Sequence, residues 1–214
     1  MRGTVYYMKR FAGLILAAAM LCGLCGCGGT PADPDKAQES IQVIAMDTVM
    51  IFSVYGEKST HAAYAAEDEM RRLEDLLSRT DEESQIFALN SAGGQPVTVD
   101  SEVSRLLNTS GMYSDVTGGA FDITIAPVVS AWGFTTDRRQ VPDPSVLDAL
   151  LPLVDSRLIT LEDTAKGPAV TLAEGQSVDL GGIAKGYVSD CVEAVFRQNG
   201  VTSGKISLGG NIYV

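Results

Sequence analysis

Val178-Asp179-Leu180-Gly181-Gly182-Ile183-Ala184-Lys185-Gly186-Tyr187 is the stretch that decides how this chain reads. Its pattern predicts a strand, a glycine turn and the start of a helix. Glycines let the backbone approach a ligand closely, and the free N–H groups of a helix N-terminus favour phosphate. Lys185 adds a positive charge in the first helical turn. The stretch is not a Walker-type phosphate loop, since its spacing and the residue after Lys-Gly do not fit, and it is not GxGxxG either. Two readings stay open: an anion or pyrophosphate site, or a tight strand-to-helix turn with a solvent-facing lysine.

Working outward, residues 183–199 predict a helix closed by Gly200, and residues 205–208 begin a last strand before Gly209-Gly210-Asn211. Upstream, residues 158–161 and 169–172 predict a hairpin. Residues 143–151 predict a helix with Pro144 in its first turn and Ser145 and Asp148 at capping-box-like spacing. Residues 120–127 form an apolar run stopped by Pro127, and 128–132 a short helix. Ser101 is the expected N-cap of a helix with Val103, Leu106, Leu107 and Ser110 inward, ended by Gly118-Gly119. Residues 97–99 predict a short strand, and 79–94 a polar, turn-rich stretch around the apolar 86–89. Residues 58–78 alternate with helical period, Ala62, Ala65, Ala66, Met70, Leu73, Leu76 and Leu77 on one side. Residues 41–55 predict one strand, bent near Met46-Asp47-Thr48. This order is not strict βαβ alternation, so the class is α+β rather than a doubly wound sheet.

The 214 residues suggest one domain, and 45% hydrophobic residues suffice for a sizeable core. Sixteen basic against 27 acidic residues give a net charge of −11. Such a surface repels phosphate backbones, which excludes nucleic acid as a partner. A small phosphate ligand is still allowed, because backbone amides and a metal act locally.

The N-terminus reads as a targeting segment. Met8-Lys9-Arg10 is a basic start, with residues 1–7 an upstream extension. Residues 11–24 are apolar and small, too short to span a bilayer comfortably, as in a signal peptide. Leu24-Cys25-Gly26-Cys27 resembles the lipobox of bacterial lipoproteins, which places a lipid on Cys27 after cleavage. The boundaries are then a signal at 1–27, a tether at 28–40 and one domain at 41–214. The alternative is an ordinary secretory signal. Cys22-Gly23-Leu24-Cys25 has redox-motif spacing but lies in the apolar signal, without a βαβ context. Cys191, in a helical pattern, is expected to be buried core filler.

Two further segments carry candidate chemistry. In Thr117-Gly118-Gly119-Ala120-Phe121-Asp122-Ile123-Thr124, small residues would let a flat ligand lie against the backbone. Asp122 either accepts from a sugar hydroxyl or ring N–H, or ties loop backbone. Met46 either packs on a flat ligand or fills the core. His61, the single histidine, reads as solvated, as does Asp81-Glu82-Glu83; Trp132-Gly133-Phe134 reads as core.

Taken together, five segments in order resemble the ApbE family, the FAD:protein FMN transferases. They are Met46-Asp47-Thr48; Leu76-Leu77-Ser78 with residues 84–90; Gly119-Ala120-Phe121-Asp122-Ile123-Thr124 with Pro127 and Trp132-Gly133-Phe134; residues 179–187 with Asp190; and Ser207-Leu208-Gly209-Gly210-Asn211. The resemblance covers residues 41–214. It implies a T-fold-like α+β domain with a mixed sheet and packed helices. It implies Mg²⁺-dependent cleavage of the FAD pyrophosphate, with FMN passing to a threonine or serine of an acceptor protein and AMP leaving.

Family FAD contacts fall on Met46, Ala120, Phe121, Asp122, Asp179 and Lys185, and on Thr80, where the family often has a tyrosine. A carbonyl at Gly182 resembles a Mg²⁺ ligand. The family pattern continues past Val214 with a His-bearing segment and an Asp and a Thr for the metal. Catalytic residues are expected there, and the chain as it stands is expected to be an incomplete or inactive enzyme. The implied setting is a lipid-anchored, extracytoplasmic protein acting on subunits of membrane redox complexes. An FAD pyrophosphatase and a non-catalytic flavin-binding lipoprotein are the alternatives.

Overall fold

The computed structural model describes residues 38–46, 48–134, 136 and 138–214. The signal segment, Cys27 and most of the expected tether lie outside them. Gln38, Glu39 and Ser40, placed in the tether by sequence, are instead the start of strand β1 (Gln38–Ala45).

Residues 41–55, expected as one bent strand, make a hairpin. β1 pairs antiparallel with β2 (Thr48–Tyr55), and Ala45 lies opposite Thr48. Both arms alternate with period 2, so periodicity alone cannot show the reversal between them. Met46 lies at that reversal with φ 48°, a conformation few non-glycine residues adopt.

Helix α1 (Ser59–Leu77) buries Ala62, Ala63, Ala66, Met70, Leu73 and Leu77 at three- and four-residue spacing. The turn-rich stretch after it contains an unexpected helix, α2 (Gln85–Ser91). Ser84 caps it, its hydroxyl accepting from Phe87 N–H at 3.0 Å, while Ile86 and Leu89 are buried. Seven residues are too few for helical periodicity to show. Strand β3 (Val97–Thr98) follows, then α3 (Ser101–Val116). The cap of α3 is Asp100, not Ser101; its carboxylate accepts from Glu102 N–H at 2.7 Å.

Pro127 does not end the apolar run of residues 120–127. A 3₁₀ turn (Ile123–Ile125) leads into α4 (Ala126–Trp132), in whose first turn the proline sits, where its missing N–H has no partner to lose. Helix α5 (Pro144–Leu150) is capped by Asp143, which accepts from Ser145 N–H and Oγ; the Ser145–Asp148 capping box does not form. Strands β4 (Thr160–Thr164) and β5 (Gly167–Thr171) form the expected hairpin, and β5 pairs with β3. Helix α6 (Ala184–Gln198) leads to β6 (Gly204–Leu208) and β7 (Asn211–Tyr213).

Among the described residues the expected mixed sheet is two antiparallel ones, ordered β1-β2-β6-β7 and β3-β5-β4. Val43, Met50, Phe52, Val54, Ile206 and Leu208 form the inner face of the larger sheet, against α1 and α6. Phe52 meets Phe196 of α6 edge to face, centroids 6.4 Å apart. Among the described residues no helix is long and apolar enough to cross a membrane.

Residues 177–180, expected to enter the glycine turn as a strand, join neither sheet. The Asn90 side chain takes the place of a neighbouring strand: Nδ2 donates to Val178 O at 2.9 Å, and Oδ1 accepts from Val178 N–H at 2.7 Å. Asp179 N–H donates to Ile123 O at 2.7 Å. Val178 is fully buried, so both its backbone groups would be stranded without the amide. Asn90→Ala should therefore cost about 2–4 kcal/mol of folding free energy. Urea unfolding reads this directly, and a loss under 1 kcal/mol (about one ordinary hydrogen bond) would overturn the account.

Candidate functional site

The glycine turn and the end of α1 face each other across one pocket. Met46, Glu74, Leu77, Ser78, Arg79 and Thr80 line one side; Asp179, Leu180, Gly181, Ala184 and Lys185 line the other. Its volume of about 160 Å³ lies below the usual ligand-pocket range of roughly 300–1,000 Å³, so it suits part of a large ligand.

Local hydrogen bonds set each wall. Met46 N–H donates to Glu74 Oε1 at 2.8 Å, which ties the hairpin reversal to α1 and supports its unusual φ. Asp179 Oδ1 accepts from Gly181 N–H at 2.8 Å and shapes the turn. Its Oδ2 accepts from Arg79 Nη1 at 2.5 Å, and Arg79 Nη2 donates to Ser130 Oγ at 3.0 Å. Lys185 is half-buried in the first turn of α6, and among the described residues no ion pair engages it. The pocket thus joins a helix N-terminus, a lysine and a methionine, which together suit an anionic group attached to an apolar one.

Met46, Thr80, Asp179 and Lys185 are all brought to this pocket. Ala120 and Asp122 are not among its lining residues. Asp122 Oδ1 accepts from Thr124 N–H and Oγ1 at 2.9 and 2.7 Å; Oδ2 accepts from Ser156 N–H and Ser114 Oγ at 2.9 and 3.2 Å. Burial alone would raise its pKa. The hydrogen bonds from Thr124, Ser156 and Ser114 outweigh burial and hold it below the usual carboxylate value. Phe121 meets Gly182 and stands edge-on to Tyr113 at 6.4 Å.

Two pocket residues had no distinguishing signal in the sequence: Glu74 and Arg79. A polar residue at a helix end looks the same whether it faces solvent or a pocket. His61 is exposed, as expected, with Nδ1 2.8 Å from Asn199 Oδ1. Cys191 is half-buried rather than core filler, because its helix position faces a charged cluster as well as the core; burial pushes its thiol pKa up. Glu69, Glu102 and Cys191 converge, but Arg72 pairs with both carboxylates at 2.8 Å.

A model of the ApbE family matches residues 46–214. The chain belongs to the ApbE family. The FAD:protein FMN transferase of Treponema pallidum is 31% identical over 203 residues, which are 91% of this chain and 56% of that protein. The Klebsiella pneumoniae protein of the same name is 33% identical over 181 residues, 84% of this chain and 56% of its own. Among solved structures, the ApbE protein of Thermotoga maritima matches with a TM-score of 0.76 at 26% identity, over 82% of this chain and 58% of that one. The flavin transferase ApbE of Vibrio cholerae reaches 0.75 at 22% identity, over 83% and 59%, a likeness of fold. The chain spans a little over half the length of these ApbE relatives.

The ApbE glycine turn has a packing requirement of its own. A Cβ on Gly182 would lie 2.9 Å from Phe121 Cε2, closer than carbon atoms tolerate. Gly182→Ala should push the ring aside at a cost of about 1–3 kcal/mol. Gly182→Ala,Phe121→Ala should remove the clash, so the two changes must be non-additive in thermal unfolding; strict additivity would disprove the contact.

Proposed function

We propose that this chain carries the FAD-binding part of an FAD:protein FMN transferase. The observation behind this is the convergence of Met46, Thr80, Asp179 and Lys185, from three distant segments, on one pocket at the N-terminus of α6. The helix end and Lys185 would hold the pyrophosphate, and Met46 would pack on an aromatic ring. Asp179 has lone pairs left for a ligand hydroxyl or N–H. The Phe121 ring lies against the turn at Gly182, and Asp122 ties the loop that carries Phe121 to Thr124 N–H.

In the proposed reaction a serine or threonine hydroxyl of the acceptor attacks the FMN-side phosphorus. The bridging P–O bond breaks, AMP leaves, and the hydroxyl proton is released. A metal, as Mg²⁺, would supply charge neutralisation on the phosphate oxygens. Mg²⁺ requires several hard oxygen ligands, and the Gly182 carbonyl is one candidate. Glu74 and Asp179, the carboxylates of the pocket, are engaged by Met46 N–H, by Arg79 and by Gly181 N–H. The described residues therefore do not make a Mg²⁺ site by themselves, and no step is derived through one. The setting we propose is extracytoplasmic, with a lipid on Cys27 and acceptors among membrane redox subunits.

The test is flavin fluorescence titration of residues 28–214, followed by incubation with FAD, Mg²⁺ and a hydroxyl-bearing acceptor domain. The reading expects saturable FAD binding in preference to riboflavin. Acceptor-bound FMN together with AMP supports transfer; free FMN and AMP with an unlabelled acceptor indicates hydrolysis instead. No FAD binding at millimolar concentration would sink the reading.

A further inference from the structure

We infer that Arg79 is a positioning residue: it holds the Asp179 carboxylate in place and, by neutralising it, lets the pocket accept an anionic ligand. This rests on the FAD-binding reading above.

Asp179 belongs to two structures at once. Its Oδ1 closes the turn on Gly181 N–H at 2.8 Å, and its Oδ2 meets Arg79 Nη1 at 2.5 Å. Both side chains are only 21% exposed, so the pair is partly withdrawn from water and sensitive to the loss of either member. Arg79 is itself fixed by a second bond, Nη2 to Ser130 Oγ at 3.0 Å on α4. A planar guanidinium can bridge two partners at a set angle; an ammonium is a point charge without that geometry.

Charge makes the pair matter for ligand choice. The pocket lining holds two carboxylates, Glu74 and Asp179, and two cations, Arg79 and Lys185. With Arg79 in place they balance. Without it, the carboxylate beside the N-terminus of α6 is uncompensated and repels a pyrophosphate. It also becomes free to fold back on the helix N–H groups that the phosphate would use.

The experiment is a binding cycle on the full chain with Arg79→Gln, Asp179→Asn and the double variant, each titrated with FAD and with uncharged riboflavin. Arg79→Gln should weaken FAD about tenfold or more and riboflavin less than about threefold. The double variant should bind FAD better than Arg79→Gln alone, since no unpaired carboxylate remains. Arg79→Lys should restore the charge preference but not the full affinity. Equal losses for both ligands, or additive losses in the double variant, would show Arg79 to be a loop staple and overturn the inference.

Hydrogen exchange at the Gly181 amide gives a readout that needs no ligand. Arg79→Gln should speed it, because Asp179 is then released; unchanged exchange overturns the positioning role even if FAD binds. If the wild-type chain binds no flavin while Gly181 exchange does respond, the FAD reading fails and the Arg79–Asp179 coupling stands.

Discussion

Asp122→Ala should lower the folding free energy by about 2–4 kcal/mol at neutral pH. The carboxylate gathers four donors from three places: Thr124 N–H and Oγ1 in the 3₁₀ turn, Ser114 Oγ on α3, and Ser156 N–H in the segment before β4. Ser114 and Thr124 are buried, so their hydroxyls would be left without an acceptor. Asp122 is itself only partly buried, and water can replace some of what is lost, which favours the lower end of the range. The pH dependence follows from the depressed pKa of the folded state. A carboxyl with a lowered folded pKa stabilises the fold above its unfolded value of about 4, and that stabilisation disappears as pH falls through the folded pKa. The gap between wild type and Asp122→Ala should therefore be widest at neutral pH and narrow below about pH 4. Urea unfolding from pH 3 to 7 measures it, and a gap that stays constant would mean that the charge of the carboxylate plays no part.

Lys185→Glu should weaken FAD binding about a hundredfold, since it reverses a full charge beside the proposed pyrophosphate. The same change should leave stability unaltered or slightly raised, because a carboxylate in the first turn of α6 complements the helix dipole. Riboflavin, which lacks phosphate, should bind both forms alike. This opposition of signs separates a ligand contact from a folding defect. Equal loss of FAD and riboflavin, or a fall in Tm of several degrees, would remove the phosphate from the N-terminus of α6.

Long periodic elements were legible in the sequence, and so was the punctuation around them. Helices α1, α3 and α6 carry apolar residues every three or four positions, and the β4–β5 hairpin sits between clear turn signals. Five ordered motifs gave the family and most of the pocket, since glycine turns and short sequence signatures survive as local chemistry. Short or contact-dependent elements were not legible. Helix α2 exists because the Ser84 hydroxyl caps it and the core accepts Ile86 and Leu89; the β1–β2 reversal is held by a carboxylate 28 residues away.

By itself, then, the sequence determined the α+β class, the acidic character and the glycine turn leading into a helix, because each follows from spacing within a few residues. Tertiary structure alone decided that Asn90 acts as a surrogate strand for Val178, that Asp122 accepts from Ser156 N–H 34 positions away, and that Arg79 reaches Asp179 across 100 positions. Each of these is a hydrogen bond between residues far apart in the chain. Its partner is chosen by how helices and sheets pack, and nothing within a local window specifies it.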